Sequence, residues 1–159
     1  MQELISLRRV CDDDETFLFG LFCMTQSKVL EPLQLPVGQM EQLLRMQFAG
    51  QRMQYHDQYS TADFDVVLRG GVPIGSLYAL RGPQEYVLID IALLPECRGS
   101  GIGTQLVNAL ISEANAAKKK LEAHVLKSNR AWRLWQRLGF ELVDDDGVYL
   151  HIRVPADFT

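Results

Sequence analysis

The sequence predicts an α/β (α+β) fold, a central mixed and mostly antiparallel sheet of about seven strands flanked by about four helices. Apolar residues repeat at helical spacing in some stretches, while alternating or continuous apolar runs of strand length occupy others. Glycine- and proline-containing turns separate these stretches. They succeed one another in the order β-α-α-β-β-β-α-β-α-β-β. A chain of 159 residues is expected to form one domain, so we assign residues 1–159 to a single domain.

The N-terminal part predicts one strand and two helices. Residues 4–10 alternate loosely between apolar and polar and favour a strand. Asp12–Asp14 favour the N-terminus of a helix, after which apolar residues recur at helical spacing. Residues 31–36 contain two prolines and indicate a loop. A second helix is expected from about Gly38 to His56.

The centre of the chain predicts three consecutive antiparallel strands. Phe64–Arg69 and Val72–Leu80 flank Gly70-Gly71, a two-residue turn typical of hairpins. Glu85–Leu94 returns as the third strand and is strongly apolar. This strand leads directly into a glycine-containing loop.

The C-terminal part predicts a helix, a strand, a second helix and a hairpin. Because a helix over 104–117 precedes the strand 121–126, this strand is expected to run parallel to its neighbour. The last helix begins near Asn129 and ends at Gly139. Residues 141–154 are expected to form the closing hairpin.

The composition indicates a soluble globular protein with neither a nucleic-acid nor a membrane partner. Hydrophobic residues make up 47% of the chain and the net charge is −4, unlike the basic surface that nucleic acid attracts. No apolar run reaches the length of a membrane span, and the first residues lack the apolar core of a signal peptide. Three scattered cysteines show neither metal-ligand spacing nor a disulfide pattern. We therefore expect a cytoplasmic protein without a metal site.

The segment after the third central strand predicts an anion-binding loop. Residues 94–103 read LPECRGSGIG. Glycines let backbone N–H groups approach an anion closely, and a helix N-terminus adds partial positive charge. Arg98 suits a phosphate, and no structural role is expected for it. Cys97 is interpreted as a variable loop residue rather than as a nucleophile.

A second motif completes a family pattern. The first motif, the loop, has the spacing Arg-x-x-Gly-x-Gly, which is neither the dinucleotide-binding Gly-x-Gly-x-x-Gly nor a P-loop. The second motif is formed by residues 129–140, which read NRAWRLWQRLGF. Together they resemble the GNAT superfamily of acyl-CoA-dependent N-acetyltransferases, most specifically over residues 85–143. The predicted element order is also similar to that of this family. The resemblance implies a GNAT fold and acetyl-CoA as the co-substrate.

The resemblance also assigns residues to the co-substrate. In the family, the pyrophosphate of coenzyme A binds mainly to backbone N–H groups of the loop and the helix start, here Arg98, Gly99, Ser100, Gly101, Ile102, Gly103 and Thr104. The backbone of Ile91, Ala92 and Leu93 would pair with the acyl carbonyl and the pantetheine amides, where two strands splay. Asn129 and Trp135 would flank the pantetheine arm. Asn129 equally suits a helix cap, and Trp135 equally suits the core.

Three residues compete as the general base that accepts a proton from the acceptor amine. Asp90 is our first choice, because it lies in an apolar run beside the predicted acyl site, where burial should raise its pKa. Glu85 opens the same strand, and His124 lies on the next one. Each has a structural alternative, which is a tied carboxylate for Asp90, an exposed strand-end charge for Glu85 and a core histidine for His124.

Trp135 stands where many GNAT members carry a tyrosine that protonates the departing thiolate. An indole N–H donates a hydrogen bond but is not a usable proton source.

From the resemblance we expect an N-acetyltransferase acting on a primary amine of a small molecule or peptide. Because of the tryptophan at the acid position, an acyl-CoA-binding module of little or no turnover is the alternative. By the resemblance, the first two helices and the closing hairpin shape the acceptor cleft. The acceptor itself, and whether the protein is a homodimer, stay open.

Overall fold

The computed structural model describes residues 4–127 and 132–156, and its elements follow the predicted order. Its helices are α1 (Glu15–Leu30), α2 (Val37–Gln58), α3 (Ile102–Ala116) and α4 (Trp132–Arg137). Its strands are β1 (Ile5–Arg9), β2 (Asp63–Arg69), β3 (Val72–Arg81), β4 (Glu85–Leu93), β5 (Lys120–Leu126), β6 (Glu141–Asp145) and β7 (Tyr149–Val154). None of the described helices is both long and apolar enough to cross a membrane.

The strands form one mixed sheet in the order β1-β2-β3-β4-β5-β7-β6. β1 pairs antiparallel with β2, and β7 pairs antiparallel with both β5 and β6. β4 and β5 are parallel, a pairing that needs the crossover connection that α3 provides. The predicted α/β (α+β) fold, with seven strands and four helices, is confirmed.

The acids before α1 do not cap this helix as expected. The Asp14 carboxylate accepts two hydrogen bonds from the Arg8 guanidinium, at 2.7 and 2.8 Å, and a third from the backbone N–H of Cys11 at 2.8 Å. The hydrogen bonds from Arg8 hold the pKa of Asp14 well below its usual range, against the opposing effect of burial. Asp14 therefore ties β1 to the start of α1.

Two compact units make up the chain, and the first comprises Met1–Leu77 and Ala92–Arg98. In this unit α1 packs on α2, where the Phe48 ring lies 5.4 and 5.5 Å from those of Phe19 and Phe22. The assignment of residues 1–159 to one domain stays a prediction.

The second unit comprises Tyr78–Ile91 and Gly99–Thr159. Here β5 lies between β4 and β7, and α3 packs against β5. Leu121 of β5 and Ile152 of β7 are fully buried, so this part of the sheet contributes directly to the core. The helix predicted over 104–117 is α3, which buries Leu106, Val107 and Leu110 on one face.

Candidate functional site

Residues 98–101, directly before α3, are exposed, and two glycines among them adopt left-handed backbone conformations. Gly99 has φ +77° and Gly101 has φ +86°, values that other residues rarely adopt. A Cβ at either position would meet no described atom within 4 Å, so backbone conformation rather than crowding requires glycine. Gly101 is the N-cap of the 15-residue helix α3. The first N–H groups of such a helix have no intrahelical acceptor, an arrangement that suits a phosphate group.

Arg98 has a structural role that the sequence analysis did not expect. Its Nε donates to the carbonyl of Leu93 at 3.0 Å, and its Nη2 donates to Thr25 Oγ1 at 3.4 Å. The expectation that nothing structural requires this arginine was therefore wrong. Because a guanidinium carries five N–H donors, holding the end of β4 is compatible with binding an anion as well.

Gly75 lets the backbones of β3 and β4 approach closely at the end of β4. A Cβ on Gly75 would collide with the carbonyl group of Ala92, and the N–H of Leu94 donates to the carbonyl of Ile74 at 2.8 Å. Ala92 belongs to the strand end that the family pattern assigns to the acyl group. The sequence analysis missed Gly75, although a glycine inside an apolar strand is the signal that could have found it.

The ladder between β4 and β5 stops partway along both strands. It runs for four residue pairs, from Glu85–Lys120 to Leu88–Ala123, whereas β5 continues to pair with β7 as far as Leu126–Tyr149. Within the described residues, Ile89 to Ile91 of β4 therefore have no partner on β5. A splay of this kind is what the resemblance implied, and it leaves backbone groups that can pair with a ligand. The pairing of Ile91 with acyl-CoA stays a prediction.

The register divides the three base candidates between two faces of the sheet. Leu88 and Ala123 are direct partners and share one face. Asp90, two residues beyond Leu88, lies on that face as well. His124, next to Ala123, and Glu85, three residues before Leu88, lie on the opposite face.

Asp90 is a half-buried carboxyl group whose protonation state changes at a pH closer to neutral than is usual for an aspartate. Burial raises the pKa of Asp90 to about 6, although a hydrogen bond from the backbone N–H of Ile91 opposes the change. No ion-pair partner of Asp90 occurs within residues 4–127 and 132–156. The hydrogen bond from Ile91 is compatible with the structural alternative, a carboxylate tied to a neighbour, so the role of Asp90 as the base stays a prediction.

Glu85 and the strand start of β5 form a row of charges on the opposite face. Lys120 Nζ lies 3.5 Å from Glu85 Oε2 and 3.1 Å from Glu122 Oε1. The hydrogen bond to Glu122 raises the pKa of Lys120. Glu85 is a partly exposed charge at the start of its strand and is ion-paired with Lys120. Its surroundings agree with the structural alternative, an exposed strand-end charge.

His124 is exposed and is not a core histidine. Its ring stacks on that of His151, with centroids 4.5 Å apart and planes 11° apart. The two residues are direct partners in the β5–β7 ladder. His151 Nε2 in turn hydrogen bonds to the carboxylate of Glu122, which is only 5% exposed. Sequence analysis did not find Glu122 or His151, because only the pairing of β5 with β7 brings them to His124.

Trp135 is 8% exposed and packs edge-on against Phe140, with ring centroids 5.4 Å apart. Its indole Nε1 is buried and has no hydrogen-bond partner among the described residues. A buried N–H without an acceptor is costly, and a bound ligand would remove that cost. Asn129, the other residue predicted to flank the pantetheine arm, lies outside the described residues.

The profile of the "Acetyltransferase (GNAT) family" matches residues 36–140. Similar solved structures include PaiA N-acetyltransferase from Thermoplasma acidophilum in complex with coenzyme A, at 14% identity and a TM-score of 0.72, covering 96% of this chain and 99% of that one. An acetyltransferase from Thermus thermophilus is 22% identical with a TM-score of 0.71, covering 98% and 99%. A GNAT family acetyltransferase from Elizabethkingia anophelis with acetyl-CoA bound is 15% identical with a TM-score of 0.61, covering 95% and 97%.

No curated protein sequence matches the chain. The likeness to the solved structures supports the fold, and the family profile spans more than half of the chain, including the glycine loop and Trp135. The chain therefore belongs to the GNAT family of acetyltransferases.

Proposed function

We propose that this protein transfers an acetyl group from acetyl-CoA to a primary amine of a small molecule or peptide. The observation that carries the proposal is the Arg-x-x-Gly-x-Gly loop, whose Gly99 and Gly101 adopt positive φ directly before α3. This geometry suits the pyrophosphate of coenzyme A. Two solved relatives bear coenzyme A or acetyl-CoA, which supports the same co-substrate here.

The co-substrate would be held at three places. The backbone N–H groups of the loop and helix start, from Arg98 to Thr104, would bind the pyrophosphate. The backbone of Ile91, Ala92 and Leu93 would pair with the pantetheine amides and orient the acyl carbonyl. Trp135 and Asn129 would flank the pantetheine arm, where the buried indole N–H of Trp135 needs an acceptor.

Asp90 is the proposed general base. The amine must be neutral to attack the thioester carbon, and a carboxylate with a pKa near 6 is mostly ionised at neutral pH and can accept its proton. Glu85 and His124 remain the alternative base candidates, on the other face of the sheet. Three free cysteines support a reducing, cytoplasmic location as part of this proposal.

The function is tested by calorimetric titration with coenzyme A and by a thiol-release assay with acetyl-CoA and a panel of amines. We expect coenzyme A to bind, ATP and NAD not to bind, and thiol release to require an amine. Binding without thiol release for any amine would favour the acyl-CoA-binding module that the tryptophan at position 135 brings into consideration. Absence of coenzyme A binding would contradict the proposal.

A further inference from the structure

The open face of β5 and β7 carries a histidine cluster, defined as Glu122, His124 and His151. The carboxylate of Glu122 hydrogen bonds to His151 Nε2, and the His151 ring stacks on the His124 ring with centroids 4.5 Å apart. An exposed imidazole would otherwise sample several rotamers. These two contacts, one a hydrogen bond and one a stack, hold the His124 ring in a defined orientation.

The cluster lies where the β4–β5 ladder ends. Ala123 is the last β5 residue paired with β4, and His124 is the first residue beyond it. The proposed function places the thioester along the β4 backbone just past the same point. His124 is therefore the first titratable side chain of β5 that a thioester there would meet.

Charged groups of both signs surround the imidazole pair. Burial alone would raise the pKa of Glu122, but its hydrogen bonds with His151 and Lys120 together lower this pKa below its usual value. Hydrogen bonds from the backbone N–H groups of Tyr149 and Val148 lower the pKa of Asp146 most, and the charge of His124 lowers it slightly further. The ionisable groups on this face of the sheet or beside it come from β4, β5, β6, β7 and the β6–β7 turn: Glu85, Lys120, Glu122, Glu141, Asp144, Asp146, Tyr149, His151 and Arg153.

We propose that His124 is the general acid that protonates the departing thiolate of coenzyme A, with His151 and Glu122 as its positioning residues. This inference rests on the proposed function. The amine nitrogen forms a bond to the carbonyl carbon and its proton passes to the carboxylate of Asp90. The carbon–sulfur bond breaks, and the sulfur takes a proton from the imidazolium of His124. The products are an amide and coenzyme A thiol, and solvent restores both side chains to their starting protonation states.

Chemistry and position both favour this assignment. The indole of Trp135 cannot supply the proton, whereas an imidazole exchanges protons at neutral pH. Asp90 and His124 lie on opposite faces of the strands that flank the ladder end. One group can therefore take a proton from the amine while the other gives one to the sulfur.

The pH dependence of kcat/KM tests the acid role. In His124→Gln we expect kcat/KM to fall on the order of 10²-fold and the alkaline limb to vanish while the acidic limb stays. His56→Gln is the matched control: it alters the third histidine, which contacts Phe64 in the first unit, and should keep both limbs. Loss of the acidic limb instead would make His124 the base, and an unchanged profile would remove it from proton transfer; either result overturns the proposal.

Three further variants test the positioning roles. His151→Phe keeps a ring to stack on but loses the hydrogen bond to Glu122, and Glu122→Gln keeps a hydrogen-bonding group without the negative charge. We expect the alkaline limb of Glu122→Gln to move to lower pH, because the imidazolium of His124 loses the stabilising negative charge of Glu122. His151→Phe should retain more activity than His151→Ala. A rate loss in these variants without any movement of the alkaline limb would indicate a merely structural role and contradict the positioning.

A binding measurement separates this inference from the proposed function. Histidine ring signals are followed by NMR during titration with coenzyme A and with desulfo-coenzyme A, which lacks the thiol. We expect both ligands to bind calorimetrically, and the His124 signals to shift more with the thiol than without it, while those of His56 stay unchanged. Equal shifts with both ligands would place the sulfur away from His124 and overturn the inference. Failure of either ligand to bind would contradict the proposed function itself.

Discussion

Asp90 and His124 lie on opposite faces of the β4–β5 pair, both just beyond the point where its ladder ends at Leu88–Ala123. Direct partners share a face, and successive residues alternate. The two side chains therefore reach the ladder end from different sides. This arrangement lets a base act at the amine nitrogen and an acid act at the thioester sulfur without direct contact between the two groups.

Asp90→Asn should lower kcat/KM by about 10²-fold or more, the usual contribution of a positioned base. The acidic limb of the pH–rate profile, expected near the Asp90 pKa of about 6, should vanish. Affinity for coenzyme A, measured by calorimetry, should be nearly unchanged because the loop is untouched. If the variant keeps its acidic limb while Glu85→Gln loses it, the base is Glu85. If the variants of all three base candidates, Asp90, Glu85 and His124, keep the wild-type rate, the amine arrives neutral and catalysis depends on positioning of the reactants.

The raised pKa of Asp90 also predicts a pH-dependent stability difference. Burial raises this pKa to about 6, above the value of about 3.9 in an unfolded chain, so the folded state binds more protons between these values. Wild-type stability should therefore fall as pH rises from 4 to 6 and then level off. Asp90→Asn lacks this loss, so its unfolding free energy should gain about 1–3 kcal/mol relative to wild type between pH 4 and 7. Urea unfolding of both proteins at pH 4 and pH 7 measures this change. If the difference in unfolding free energy between variant and wild type is the same at both pH values, the pKa of Asp90 is not raised by folding.

Gly101→Val should weaken coenzyme A binding at least tenfold, about 1.4 kcal/mol. A branched side chain at φ +86° would stand where the phosphate must approach. Gly71→Val is the matched control, because Gly71 has φ +81° and open space around its Cβ position but lies in the β2–β3 turn. Both variants should lose comparable stability in thermal unfolding. Calorimetric titration should show weaker binding for Gly101→Val alone, and unchanged binding in folded Gly101→Val would contradict the assignment of the loop.

Trp135→Tyr should supply a second acid at the position where many family members carry tyrosine. Turnover should rise, or the alkaline limb should move, relative to wild type. The effect should be larger in the His124→Gln background, where the new hydroxyl would restore part of the lost rate. No change in either background would mean that a tyrosine at position 135 does not protonate the sulfur. Near-ultraviolet circular dichroism checks that the edge-on packing against Phe140 survives.

Gly75→Ala should destabilise the protein, because the new methyl group would collide with the backbone carbonyl of Ala92. A backbone group cannot move aside as the end of a flexible side chain can. We expect a loss of about 1–3 kcal/mol in urea unfolding. Gly50→Ala in α2 is the control: its Cβ would meet nothing within 4 Å, and it should gain up to about 1 kcal/mol from helix propensity. Equal stabilities of the two variants would mean that β3 and β4 separate easily at this point.

Local patterns in the sequence determined much of the fold and the binding loop. The helical and alternating periods and the Gly70-Gly71 turn predict the element order, because these signals depend on neighbours along the chain. The Arg-x-x-Gly-x-Gly spacing similarly predicts where an anion would bind, since the glycines act through their own backbone. Even there, the contact between Arg98 and the carbonyl of Leu93 needed the folded loop.

Tertiary structure alone decided how the proton-transfer candidates are arranged. Glu122 and His151 are 29 residues apart in sequence and meet because β5 pairs with β7. The end of the β4–β5 ladder, and hence the separation of Asp90 from His124 onto two faces, depends on the register of two strands that a helix separates. No local pattern specifies which residues of distant strands become partners, because a shift of one residue exchanges the two faces. The close approach at Gly75 is non-local for the same reason.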